Sequence, residues 1–114
     1  MKTVLLTNDL MLGSQVTQAA RQVDTDLEVI AQSNQLVSAC DSATPVQVIL
    51  DLNSSLPAVT DLIERIRELA PGARIIAIAP HVHVSKIETA QAAGCDAVFT
   101  KGQFHRQMAE VLVG

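Results

Sequence analysis

Val46-Gln47-Val48-Ile49-Leu50-Asp51-Leu52-Asn53 is the stretch whose reading decides the fold. It is a short apolar, β-branched run that ends abruptly in a carboxylate and passes into loop-forming Asn53-Ser54-Ser55. Apolar residues without regular alternation suit a strand buried on both faces, as the central strands of a parallel sheet are. A carboxylate closing such a strand lies at the carboxyl edge of the sheet, where open α/β folds bind ligands. Two other polar clusters stand in the same relation to apolar runs. Asn8-Asp9 follows Val4-Leu5-Leu6, and Lys101 follows Ala97-Val98-Phe99. One basic and several acidic groups would therefore converge on one crevice.

Outward from that stretch, strands are expected at 3–7, 27–30, 46–50, 73–79 and 97–100. A first helix is expected from Gly13 or Ser14 to Val23, with Ser14 as its cap and Leu12, Val16, Ala19, Ala20 and Val23 at helical spacing. Ser33 or Asn34 opens a short second helix carrying Leu36, Val37 and Cys40, and Thr44-Pro45 ends it. The third begins near Pro57, a residue suited to a first helical turn. Its core stripe is Leu56, Val59, Leu62, Ile63, Ile66 and Leu69, with Glu64, Arg65, Arg67 and Glu68 on the wet face. Ser85-Lys86-Ile87-Glu88 has the form of a capping box opening the fourth helix, which Gly94 closes. Phe104, Met108, Val111 and Leu112 give the last helix its buried face. Strand and helix alternate five times with short connections, and right-handed crossovers then predict a five-stranded parallel sheet with helices on both sides.

The 114 residues suit one domain spanning 1–114, and 48% apolar content suits a globular chain. A net charge of −4 argues against a nucleic-acid surface, which needs clustered Lys and Arg. No basic amphipathic stretch favours a membrane, and the apolar runs are strand-length rather than the ~20 residues of a span. The apolar run after Met1-Lys2-Thr3 is too short for a signal peptide. Cys40 and Cys95 lack paired spacing and read as packed thiols of a reducing cytoplasm. With no Trp or Tyr, an aromatic platform for bases or sugars is disfavoured.

Three segments resemble successive signatures of the response-regulator receiver domain: Val4-Leu5-Leu6-Thr7-Asn8-Asp9, Val48-Ile49-Leu50-Asp51-Leu52-Asn53, and Ala92-Ala93-Gly94-Cys95-Asp96-Ala97-Val98-Phe99-Thr100-Lys101. The resemblance spans essentially the whole chain in the right order. It implies an α/β, flavodoxin-like, doubly wound (βα)5 three-layer sandwich with strand order 2-1-3-4-5. It further implies that Asp51 accepts a phosphoryl group from a histidine kinase or phosphotransfer protein. Asp9, Asp51 and the main-chain carbonyl of Asn53 would hold Mg²⁺ by hard oxygen ligation. Lys101 would meet the phosphoryl oxygens as a point charge. Output would pass to a protein partner through the face around strands four and five, from a monomer or weak homodimer rather than an enzyme.

The departures from that pattern are specific. Asn8 stands where the family has an acid, which removes one negative charge from the metal site and leaves a weak outer contributor. Ala79 stands where a Ser or Thr bonds the phosphoryl oxygen, and Val98 where the family has an aromatic. Phe99 is adjacent but, by alternation, belongs to the other face of the strand. Gly102 replaces the Pro after the lysine, and Ser54-Ser55-Leu56-Pro57 replaces the usual loop after Asp51.

Blander readings stand beside these. Asp51 can serve as a loop or helix cap, and Asp9 as the cap of the first helix. The ion pair expected between Lys101 and Asp51 can be purely structural. His81 and His83 fall near the crevice without the further ligands a transition metal needs, and His105 belongs on an exposed flank of the last helix. Two other functions compete with the phosphoacceptor: a degenerate receiver that binds a partner constitutively, and an unrelated small enzyme or nucleotide binder on a flavodoxin-like sheet. The last lacks a phosphate-cradling loop, a nucleophile with its base, and a flavin platform.

Overall fold

The computed structural model describes residues 2–42, 44–52, 58–79 and 84–113. Five strands, β1 (Lys2–Leu6), β2 (Asp26–Ile30), β3 (Gln47–Asp51), β4 (Arg74–Ala79) and β5 (Ala97–Thr100), alternate with five helices. The helices are α1 (Leu10–Gln22), α2 (Leu36–Ser42, entered through a 3₁₀ turn at Ser33–Gln35), α3 (Val59–Leu69), α4 (Val84–Ala92) and α5 (Lys101–Val113). The sheet is wholly parallel in the order β2-β1-β3-β4-β5, as the five-fold alternation and the resemblance predict.

β3 lies between β1 and β4, and all five of its residues are buried. Val48 and Leu50 join the core under α2, α3 and α4, together with Val4, Leu6, Leu62, Ile66 and Ala79. Ile49 joins the core under α1 and α5, together with Leu5, Leu12, Val16, Ile76 and Phe104. The alternation carries into β5: Val98 packs on the α2–α4 side and Phe99 on the α1–α5 side, as expected.

Helix starts depart from the expectations. α1 opens a turn before Ser14, because Asp9 takes the cap: its Oδ1 accepts from the amides of Met11 at 2.9 Å and Leu12 at 3.2 Å. A carboxylate there satisfies amides that have no partner within the helix. In the turn before α2 the side chain that caps is Gln35, whose Oε1 accepts from the amides of Ala31 and Gln32. α4 is already helical at Val84, so Ser85 lies inside it rather than at its cap. Leu56 and Pro57 fall outside the described residues, and α3 is described from Val59, with Leu62, Ile63 and Ile66 buried.

Arg67 is the other correction. Instead of standing on the wet face, its guanidinium donates to the carbonyls of Ala73 (2.9 Å) and Gly94 (3.2 Å) and to Asp96 Oδ2 (3.2 Å). Asp96 in turn accepts from the Ile75 amide at 2.7 Å and returns its own amide to the Ile75 carbonyl at 2.8 Å. Gly94, at φ +98°, turns the chain out of α4 toward this clamp, a conformation that suits glycine. The clamp sets β5 against β4 and so places Lys101 at the end of β5.

The Ile75 amide, followed by the Arg67 guanidinium, holds the Asp96 carboxyl below the usual carboxylate range. The folded value lies below the unfolded one, so the stabilisation is present above the ordinary carboxylate range and fades as pH falls through the folded value. Asp96→Ala should lower unfolding stability by about 1 kcal/mol at neutral pH, a charge-assisted bond discounted for exposure. The gap to wild type in denaturant titrations should narrow below pH ~4. Burial pushes the Cys40 thiol up, and burial with the neighbouring Asp96 carboxylate pushes Cys95 up to about 11. At pH 8 the folded protein should therefore consume Ellman's reagent far more slowly than the protein in denaturant.

Candidate functional site

The strand order reverses between β1 and β3: the chain leaves β1 toward β2 on one side and returns to β3 on the other. Such a switch point leaves a crevice beyond the carboxyl ends of the strands. Asp51, the last residue of β3, is 5% exposed there. Thr7, the first residue after β1, is 4% exposed, Asn8 is exposed and Asp9 half-buried. Lys101 reaches the same edge from the start of α5.

These groups form a continuous hydrogen-bonded chain. The Thr7 hydroxyl donates to Asp51 Oδ2 at 2.6 Å and accepts from the Asp9 amide at 3.0 Å. The Asp9 carboxylate caps α1 through Oδ1 and receives Lys101 Nζ on Oδ2 at 3.3 Å. The Leu12 amide and, after it, the Lys101 ammonium hold the Asp9 carboxyl below the usual carboxylate range, so it is ionised at neutral pH. The Thr7 amide donates to the Ile30 carbonyl at 3.0 Å, which anchors this chain to β2 as well.

Asp51, Asp9 and Lys101 are thus brought to one edge, with two differences from the expected arrangement. Lys101 makes its ion pair with Asp9 rather than Asp51. Asp9 does act as the cap of α1, the alternative the sequence left open, while facing the same crevice. Asn53, His81 and His83 lie outside the described residues. His105 is exposed on α5, as expected. Ala79, fully buried at the end of β4, brings no hydroxyl to the edge.

Thr7 is the residue that sequence reasoning overlooked. Its signal was available: by alternation Thr7, just past β1, continues the face of Thr3 and Leu5, and a hydroxyl at the end of an apolar run needs a partner when buried. Identifying that partner requires the β1–β3 register, in which Leu6 stands beside Leu50 and the next step brings Thr7 to Asp51.

Asp9 and Asp51 supply hard oxygens suited to a small divalent cation. Among the described residues no three His, Cys, Asp or Glu side chains cluster for a metal. An open cleft of about 410 Å³ adjoins this edge, running past Asn8, Asp9 and Leu10 to Val29 at the end of β2. Leu10 and Met11 are 90% and 70% exposed beside it.

No family model matches the sequence, and no curated protein does. Solved structures match closely in shape. The chemotaxis response regulator CheY4 of Vibrio cholerae is 13% identical over 98% of this chain and 95% of its own, with a TM-score of 0.81. The receiver domain of the sensor histidine kinase PA1611 from Pseudomonas aeruginosa PAO1, which has a magnesium ion coordinated in its active-site cleft, is 16% identical over 97% and 93%, with a TM-score of 0.78. The BeF3-activated DrrB receiver domain is 17% identical over 98% and 93%, with a TM-score of 0.78. Coincident in length, strand order and course over nearly every residue, the chain has the fold of a response-regulator receiver domain.

Proposed function

We propose that this chain is a two-component signalling receiver in which Asp51 accepts a phosphoryl group. The observation that carries the reading is the hydrogen-bonded chain Asp51–Thr7–Asp9–Lys101 at the switch point of a receiver-type sheet. In the transfer, a carboxylate oxygen of Asp51 attacks phosphorus on a phosphohistidine donor. The new P–O bond forms as the P–N bond breaks, and the imidazole leaves with the electron pair and takes a proton from solvent. Such transfers depend chiefly on positioning and charge neutralisation rather than on covalent assistance. Burial at the end of β3 positions the nucleophile, and Lys101 brings a cation to the edge.

Mg²⁺ would be held by Asp9, Asp51 and the main chain at Asn53, with Asn8 as a weak contributor, and would neutralise charge on the phosphoryl oxygens. The exposed apolar residues Leu10, Met11 and Val29 next to the crevice suit contact with a protein donor, a histidine kinase or phosphotransfer protein. Output would follow through protein contacts at the face around β4 and β5.

A second reading, a receiver that binds its partner without phosphorylation, draws on a specific observation. Ala79 and Val98 lie on one face of the sheet, toward the α4 side, and neither has the polar or aromatic group by which receivers move that face.

The deciding measurement is a backbone-amide NMR titration with Mg²⁺ and then beryllofluoride, which mimics an aspartyl phosphate. The acceptor reading expects shifts centred on Thr7, Asp9, Asp51 and Lys101, absent in Asp51→Asn. A wild-type spectrum that stays unchanged with both reagents would overturn it in favour of the constitutive module. For Asn8→Asp, one added charge near a divalent ion should tighten Mg²⁺ roughly tenfold in the same titration. Unchanged affinity would count against the assignment of the metal to this edge.

A further inference from the structure

We infer that Thr7 is a positioning residue for the acceptor and that its hydroxyl shortens the life of the acyl phosphate formed on Asp51. This deepens the acceptor reading and rests on it.

The geometry leaves the hydroxyl little choice. Thr7 Oγ1 receives the Asp9 amide at 3.0 Å, so its single proton is directed at Asp51 Oδ2, 2.6 Å away. An O–H···O⁻ bond of that length is charge-assisted and strong. Thr7 is 4% and Asp51 5% exposed, so bulk water competes poorly for the bond. The Thr7 main chain is held to β2 through the Ile30 carbonyl, and the hydroxyl is fixed from the other side by the first residue of the α1 cap. The donor is therefore preorganised toward one carboxylate oxygen.

Consider the acyl phosphate with the phosphoryl group joined through Oδ1. Oδ2 is then a carbonyl oxygen and a weaker acceptor than it was in the carboxylate. Hydrolysis adds water to phosphorus and breaks the P–Oδ1 bond. The electron pair goes to the departing carboxylate, and a water proton goes to the released phosphate or to solvent. Negative charge grows on both carboxylate oxygens as that bond breaks, so the Thr7 hydrogen bond strengthens along the path. An interaction stronger in the transition state than in the ground state speeds the step. The Thr7 proton stays on Oγ1 throughout. In this arrangement Thr7 acts on the leaving group and not on phosphorus, which distinguishes it from Lys101 and from any metal at the edge.

The test follows the decay of phosphorylated protein, formed with acetyl phosphate and Mg²⁺, by intact mass after the donor is removed. Thr7→Val keeps the shape and deletes the donor; it should lengthen the half-life about five- to tenfold, a part of the worth of one hydrogen bond to a charged group, since a weaker bond is already made to the acyl phosphate. Thr7→Ser restores the hydroxyl and should return the half-life to within about twofold of wild type, since the hydrogen-bond donor is present again. A role confined to folding would lower stability in Thr7→Val and leave the decay unchanged or faster. Either of those decay results overturns the inference, as does a long-lived phosphate in Thr7→Ser. If T7V loses its native amide spectrum, Thr7→Ala, smaller and equally without a donor, carries the same expectation. A wild type that gains no phosphoryl mass and shows no beryllofluoride shifts overturns the acceptor reading itself. Equal half-lives in wild type and T7V overturn only the role given to Thr7.

Discussion

The constraint on which the structure depends is the complete burial of β3. With β1 and β4 on its edges and helices over both faces, this strand leaves a polar side chain very little solvent. Its two polar residues lie at its ends, on the same face, and each has a protein partner. Gln47 donates through Nε2 to the Val111 carbonyl at 3.0 Å, which fastens the end of α5 to the start of the sheet. Asp51 takes the Thr7 hydroxyl at the other end. Leaving either group unpaired would cost about 1–3 kcal/mol or more, so both contacts are imposed by burial rather than added to it. Among the described residues no buried side-chain nitrogen or oxygen lacks a partner.

That constraint also explains which parts of the chain were legible in the sequence. Long apolar runs such as Val48-Ile49-Leu50 and Ile75-Ile76-Ala77-Ile78 admit few alternatives, so strands and their order could be read from residues and resemblance together. The face assignment of Val98 and Phe99 followed from alternation alone. Helix starts were less legible, because several residues near one another can cap: Ser14 has the right chemistry, but Asp9 reaches the free amides first. The partners of Arg67, Thr7 and Lys101 were not legible. Arg67 sits in a charged run with the spacing of an exposed face, yet its long side chain reaches the carbonyls at the mouth of β4 and β5. Contacts of this kind depend on register and on the reach of flexible side chains, which local pattern does not encode.

The site itself was legible as a set of positions and not as a set of bonds. Asp51, Asp9 and Lys101 each end or follow an apolar run, and a parallel sheet must bring such ends to one edge. Their pairing is a different matter. Lys101 pairs with Asp9, which is more accessible than the buried Asp51 and whose other oxygen is already occupied by the helix. Asp51 takes the Thr7 hydroxyl, a shorter and stiffer partner than a lysine.

The edge is consequently divided into a loose half and a stiff half. Lys101 and Asp9 are 45% and 34% exposed, and an ion pair so open to water contributes little and exchanges easily. An anion arriving over the crevice can draw Lys101 away from Asp9 at small cost, and the cap of α1 survives because it uses the other oxygen of Asp9. The Thr7–Asp51 bond has no such freedom, since both partners are buried and the hydroxyl is held from two sides. Charge at this edge is therefore free to reorganise on the solvent side while the Asp51 carboxylate stays still. The acceptor role proposed for Asp51 would use that division: a fixed oxygen to attack, and a cation that can move to the charge the attack creates.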